Sequence, residues 1–139
     1  MDHNNSIQRL YDLINAGDID GFERQLADDF VERDELPELP PTKDGVVQYF
    51  RIMLAAFPDL RMDVQDSFAS GDKAVARLRL SGTHQGEFMG IPATGKRVSV
   101  NLIDITRFGD DGQAHEHWGV ADQLAMMQQL GVIPAGPPA

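Results

Sequence analysis

The chain has 139 residues, with 12 Lys and Arg against 22 Asp and Glu for a formal charge of −10, and it contains no cysteine. So negative a chain repels a phosphate backbone, and without thiols it can form no disulfide framework, thiolate metal site or cysteine nucleophile. The length suits one domain over 1–139. No run of 18 apolar residues could cross a bilayer, and the opening MDHNNSIQRL lacks the basic and apolar regions of a leader, so the expectation is a soluble cytoplasmic protein that binds neither nucleic acid nor membrane.

From Ile7 the apolar residues Ile7, Leu10, Tyr11, Leu13 and Ile14 keep one helical face, and Ala16-Gly17-Asp18 stops it. Asp18 can cap a second, short helix over 19–26. A brief extended piece over 28–34 leads into Leu36-Pro37-Glu38-Leu39-Pro40-Pro41, whose prolines forbid helix and central strand alike. Thr42 then caps a third helix in which Val46, Val47, Phe50, Met53, Leu54 and Phe57 recur at three- and four-residue spacing until Pro58.

The rest alternates. Strands are predicted over 60–68, 73–82, 97–108 and 114–120, with turns at Ser70-Gly71-Asp72 and Gly109-Asp110-Asp111-Gly112. Asp122 starts a last helix with Leu124, Met127 and Leu130 on one side and Gly131 just past its end, before a tail ending Gly136-Pro137-Pro138-Ala139. Helices followed by a run of antiparallel strands form the segregated α+β pattern, here N-terminal helices on a strongly curved, mostly antiparallel sheet that encloses a pocket.

Polar residues facing that pocket are the functional signal. Leu102, Asp104 and Thr106 point one way and Asn101, Ile103 and Ile105 the other. Asp104 is an unusual strand residue; it is a partly buried acid able to move a proton, half of an ion pair with a neighbour such as Arg107, or part of an exposed face. His115 and His117, two apart in a strand, are expected to share a face. Such a pair suits a metal, with His84 or Asp104 as a further ligand, but no spacing fixes a full set; a purely structural role, or His117 as a base or hydrogen-bond donor, is preferred to a metal ligand. Glu32 lies where the chain leaves the helical layer and is placed either at the pocket entrance or in solvent beside Arg33; from the entrance it could work with Asp104 as an acid and base pair. Trp118, the single tryptophan, points away from His117 and reads as core packing against the helices or a subunit contact. Met53, Met62, Met89, Met126 and Met127 could line a pocket or simply fill the core. The connection over 82–96 is not a phosphate loop; its Phe88, Met89 and Ile91 could shape a pocket mouth.

Several strings resemble a known family. They are G-T-H-x-G-E-F-x-G-I-P-x-T-G-K at 82–96, D-I-T-R-F at 104–108, E-H-W-G-V-x-D at 116–122 and Q-Q-L-G-V-I-P at 128–134, extended by N-A-G-D at 15–18 and D-D-F at 28–30. Together they resemble the SnoaL-like polyketide cyclases, or ester cyclases, of the NTF2-like superfamily. The resemblance implies a cone-shaped α+β barrel with a deep cavity, assembly as a homodimer or homotetramer through the outer sheet face, and chemistry without cofactor or metal on polyketide or terpenoid-like molecules. Founding members close a ring by an intramolecular aldol condensation of a methyl ester, with an aspartate two residues after the histidine of E-H-W; here that position is Gly119. Their strand histidine falls on Asp104 and their pocket asparagine on Glu32. Other members use paired carboxylates to open epoxides, form cyclic ethers, isomerise double bonds or assist hydroxylation. The implied catalytic residues are Asp104, Glu32 and His117, with His84, Leu102, Phe50, Phe88, Met89 and Gly119 touching substrate. The alternatives are a non-catalytic small-molecule binder, drawn from the missing acid at Gly119, and a protein-interaction module using the open sheet face.

Overall fold

Asp2 accepts hydrogen bonds from the Asn4 and Asn5 amides and so starts α1 (His3–Asn15) four residues before its first buried side chain, Ile7. In this computed structural model, which describes residues 2–34 and 36–134, the tail at 136–139 lies outside the described residues. Asp18 caps α2 (Ile19–Arg24) through the Gly21 amide. That helix ends before Leu26 because Leu26 and Ala27 are already buried in β1 (Leu26–Glu32). Thr42 caps α3 (Lys43–Ala56), and β2 (Arg61–Ser70), β3 (Lys73–Thr83), β4 (Arg97–Phe108) and β5 (Ala114–Ala121) follow close to their predicted positions. Asp122 caps α4 (Gln123–Leu130), and Gly131 ends it at φ 82 in the left-handed region. The buried face of α4 is Met126 and Leu130, whereas Leu124 is 59% exposed, so the predicted Leu124 face is corrected. In so short a helix, docking on β4 and the cap at Asp122 set the rotation more strongly than the count of apolar residues does.

The five strands run in the order β1-β5-β4-β3-β2, with β1 parallel to β5 and every other pair antiparallel. The sheet does not close on itself. Its edges are β1 and β2, and the helices cover the inner face, α1 against β2 and β3, α3 against β1, and α4 against β4. Ile7, Ile14, Met53, Phe57, Leu78 and Val98 pack between the layers at 0–1% exposure. No helix among the described residues is long and apolar enough to cross a membrane.

Alternation along β4 is regular, with Val98, Val100, Leu102, Asp104, Thr106 and Phe108 all buried on the inner face. β5 is not regular. Phe108 pairs with Ala114 but Arg107 pairs with Glu116, so His115 is the extra residue of a bulge. The bulge shifts the phase by one, and His117, not Glu116, joins Ala114 on the inner side. His115 and His117 therefore do not share a site, which corrects the expectation from simple alternation. Trp118 pairs with Ile105 on the outer face, with Lys73 Nζ 6.0 Å from its ring centre, so it does not pack against the helices.

Asn15 joins the helical layer to the sheet. Its Nδ2 donates to the Met62 carbonyl at 2.9 Å, and its Oδ1 accepts from the Met62 amide at 2.7 Å. Asn15→Ala leaves both strand groups without that partner and should cost about 1–3 kcal/mol, measured by urea unfolding. A change within error would show that water replaces the side chain.

Candidate active site

Three segments distant in sequence deliver one cluster. β4 carries Asp104 on its inner face, β5 carries His117 beside Thr106, and the parallel register of β1 sets Glu32 opposite His117. Glu32 is 6% and Asp104 5% exposed. His117 Nδ1 lies 2.8 and 2.6 Å from the two Glu32 oxygens, and Nε2 lies 2.9 Å from Asp104 Oδ1. Tyr11 on α1 donates its hydroxyl to Asp104 Oδ2 at 2.7 Å, and the Asp34 amide donates to Glu32 Oε2 at 3.1 Å. Both Asp104 oxygens and both imidazole nitrogens are thus held, so the cluster has one orientation.

Burial by itself lowers the pKa of His117, but the charge and hydrogen bond of Asp104, then those of Glu32, outweigh it and raise the ring to about 10. At neutral pH the ring is an imidazolium donating both N–H groups to carboxylates. In that state it has no lone pair to accept a proton, so it acts as a donor and a positive centre rather than a base. Burial first, and then the Asp104 charge, push Tyr11 well above the usual phenol range. Tyr49 on α3 is raised to about 12 by burial and by the negative charges of Asp34, Asp104 and Glu32. Both phenols stay neutral, and Tyr11 remains a donor to Asp104.

Arg107 is not the partner of Asp104. It lies on the opposite face, where its Nε meets Glu116 Oε1 at 3.0 Å, and Arg33 Nε meets the other Glu116 oxygen at 2.6 Å. Glu32, by contrast, turns away from Arg33 and inward. His115 is tied at the surface to Asp111 and Asp29. Among the described residues no group of three or more His, Asp and Glu side chains is arranged to hold a metal ion.

Of the predicted substrate contacts, Leu102 is two residues from Asp104 on the same face, and Gly119 is Asp104's direct cross-strand partner. Phe50 is half-buried and meets Tyr49 and Phe22 edge to face. The remaining three stand elsewhere. Asp104 pairs with Ala76 and Arg97 with Thr83, so His84 lies beyond the far end of that ladder, seven pairs away, or roughly 23 Å along the strands. There it is fully buried against Phe57, with Nδ1 accepting the Thr94 amide at 3.2 Å. Phe88 packs edge to face on Phe57, and Met89 is 57% exposed at the loop tip. The loop over 82–96 is fastened to the end of α3, since the Gln85 and Gly86 amides both donate to the Ala56 carbonyl. Sequence reasoning passed over Tyr11, Tyr49 and Asp34. The available signal was a tyrosine on the buried stripe of a helix, whose hydroxyl needs a partner inside.

Two surface clefts flank this region. One, of about 290 Å³, runs between α1 and β2 and includes Tyr11, Asn15 and Met62; the other, of about 480 Å³, is lined by Glu23, Asp28, Thr42, Lys43 and Asp44. Neither is lined by Glu32, Asp104 or His117. The open side of the cluster is His117, whose side chain is 20% exposed.

Residues 5–130 match the family described as SnoaL-like polyketide cyclase. The chain is 26% identical over 128 residues to aklanonic acid methyl ester cyclase DauD of Streptomyces sp. (strain C5), which covers 90% of this chain and 79% of that relative. Among solved structures it is similar to AclR of Streptomyces galilaeus, a candidate hydroxylase, at 32% identity and a TM-score of 0.83, covering 96% of this chain and 83% of AclR. It is also similar to IdmH of Streptomyces antibioticus, a candidate polyketide cyclase, at 32% identity and a TM-score of 0.78, covering 91% of this chain and 96% of IdmH.

Because the folded-state value for His117 lies above the ordinary 6.5, the protonated ring adds stability in full below about 6.5 and loses it as pH rises toward about 10. Melting temperatures of the native chain and of His117→Gln should therefore converge between pH 6.5 and 10. Parallel curves across that window would mean that the ring is not held as a cation.

Proposed function

Since the chain belongs to the SnoaL-like polyketide cyclase family, we propose that it is an acid–base enzyme acting without a cofactor on a neutral, apolar, oxygenated polyketide or terpenoid-like molecule. The observation that carries this reading is the imidazolium of His117 clasped by two buried carboxylates. Asp104 removes a proton from a carbon made acidic by adjacent carbonyl groups. The resulting carbanion attacks a carbonyl of the same molecule in a ring closure, or takes the proton back at another carbon in an isomerisation. In a ring closure the new alkoxide receives the proton that Asp104 took. His117 supplies positive charge near the oxygen on which negative charge grows, and Glu32 holds the ring in place. Epoxide opening would use the same groups, with a water or substrate hydroxyl bonding to the ring carbon and giving its proton to one acidic side chain while the other, protonated, passes its proton to the oxygen released from that carbon.

Substrate class follows from charge and shape. Two acidic side chains bracket one imidazolium, and among the described residues no Lys or Arg side chain is bonded to them, which disfavours a free acid and suits an ester or ketone. Leu102, on the face of β4 that carries Asp104, would offer apolar surface to the substrate and Phe50, packed on Tyr49, would extend it, while His84 and Phe88 pack on Phe57 at the end of α3. Copies of the chain would associate through the outer sheet face, where the cross-strand partners Ile103 and Val120 are 49% and 76% exposed. We place this activity in the cytoplasm.

A second reading, a module that binds a small molecule without converting it, draws on the packing around Asp104 and Glu32, which neither surface cleft reaches. One experiment separates the two. The protein is given aklanonic acid methyl ester, the compound in the relative's name, in D2O, and both ring closure and deuterium entry at carbon are followed by chromatography and mass spectrometry. The native chain should catalyse one or both, and Asp104→Asn should lower the rate about 10²- to 10⁴-fold while still melting cooperatively above the assay temperature, though lower than the native chain because His117 loses a charged partner. Equal rates in the two proteins would remove Asp104 from the chemistry; saturable binding with neither reaction would favour the second reading.

A further inference from the structure

We propose that Gly119 is a positioning residue, whose missing side chain is the space through which the Asp104 carboxylate reaches His117. Asp104 is paired across the ladder with Gly119, whereas His117 is paired with Thr106. The Asp104–His117 contact is therefore diagonal, a span of roughly 7–8 Å between backbones instead of about 5 Å for direct partners. To make it, the carboxylate leans over position 119. A Cβ there would lie 2.6 Å from Asp104 Oδ1, 2.9 Å from His117 Cε1 and 3.3 Å from His117 Nε2. The first two separations are shorter than real Cβ contacts.

Nothing else calls for glycine at this point. Gly119 is absent from the glycines with positive φ, so its backbone is open to any residue, and a glycine inside a strand is otherwise a weakness. The atoms in the way are the ends of two side chains and not backbone. An added methyl group would leave β4 and β5 paired and push the carboxylate and the ring apart, so its cost falls on the site and spares the fold. Gly119 thus contributes clearance, and Glu32 and Tyr11 hold the two partners from their other sides.

The inference rests on the acid–base reading only for its effect on rate; its main readout is the titration of His117 by ¹⁵N NMR. The groups facing that ring are Asp104 and Glu32, with Tyr11 on the far oxygen of Asp104. Gly119→Ala should lower the His117 midpoint by more than one pH unit while the amide spectrum stays folded. In an Asp104→Ala background, Gly119→Ala should shift the midpoint by less than a third of a unit, because the group it displaces is gone. A native midpoint in Gly119→Ala, or an equal shift in both backgrounds, overturns the proposal. Should Gly119→Ala fail to fold, Asp104→Ala added to it should restore a cooperative melt, and continued failure overturns the proposal as well. If the acid–base reading alone is wrong, Asp104→Asn keeps full rate while these titrations come out as stated.

Discussion

A cation shared between two buried carboxylates is the constraint on which the arrangement of this chain turns. Each of the three charges would be costly alone in the interior, and removing one partner from such a group leaves the others uncompensated. The imidazolium of His117 answers both Glu32 and Asp104, and the Tyr11 hydroxyl and the Asp34 amide take up remaining acceptor capacity. These donors and acceptors come from β1, β4, β5 and α1 and from the residue pair just after β1. The site is therefore a product of the tertiary fold as a whole, and no single segment contains it.

Strand pairing does the positioning. A hairpin can place two neighbouring strands in register by itself, as it does for β4 and β5. Glu32 depends on a longer-range event, the parallel docking of the edge strand β1 on β5, which brings residue 32 opposite residue 117. That register is itself irregular between Leu26 and Val31, so the end of β1 is placed by its own contacts and not by extrapolation from its start. The Glu32 amide bonds to the Pro41 carbonyl and the Arg33 amide to the His117 carbonyl, which fixes the carboxylate just before the chain leaves the sheet. The proline-rich stretch that breaks regular structure at this point thus also anchors it.

Much of this was legible in the sequence, and the failures have specific causes. Turn residues and apolar periods mark the elements to within a few residues, and the alternation groups Asp104 with Leu102 and Thr106, which the fold turns to the inner face of β4. Periodicity says which face a residue takes but not what stands across from it. Tyr11 reads as one more apolar residue on a helix because its partner is 93 positions away. His115 and His117 read as a pair because a bulge has no composition signal here. The family likeness of the strings at 82–96 draws attention to His84, yet those residues form a support for α3 at the other end of the sheet. Motif density in this chain follows structural need as much as chemistry.

The bulge at His115 also separates two kinds of evolutionary freedom. Upstream of it, the connection between β4 and β5 can grow or shrink at its tip, since the sidedness of the strand is reset before the site begins. Downstream there is no such slack. Loss of one residue between His117 and Val120 would turn the rest of β5 over, bringing Val120 opposite Asp104 and into the helical layer. Length variation among descendants of this sequence should therefore collect at the hairpin tip and stop abruptly at a single residue.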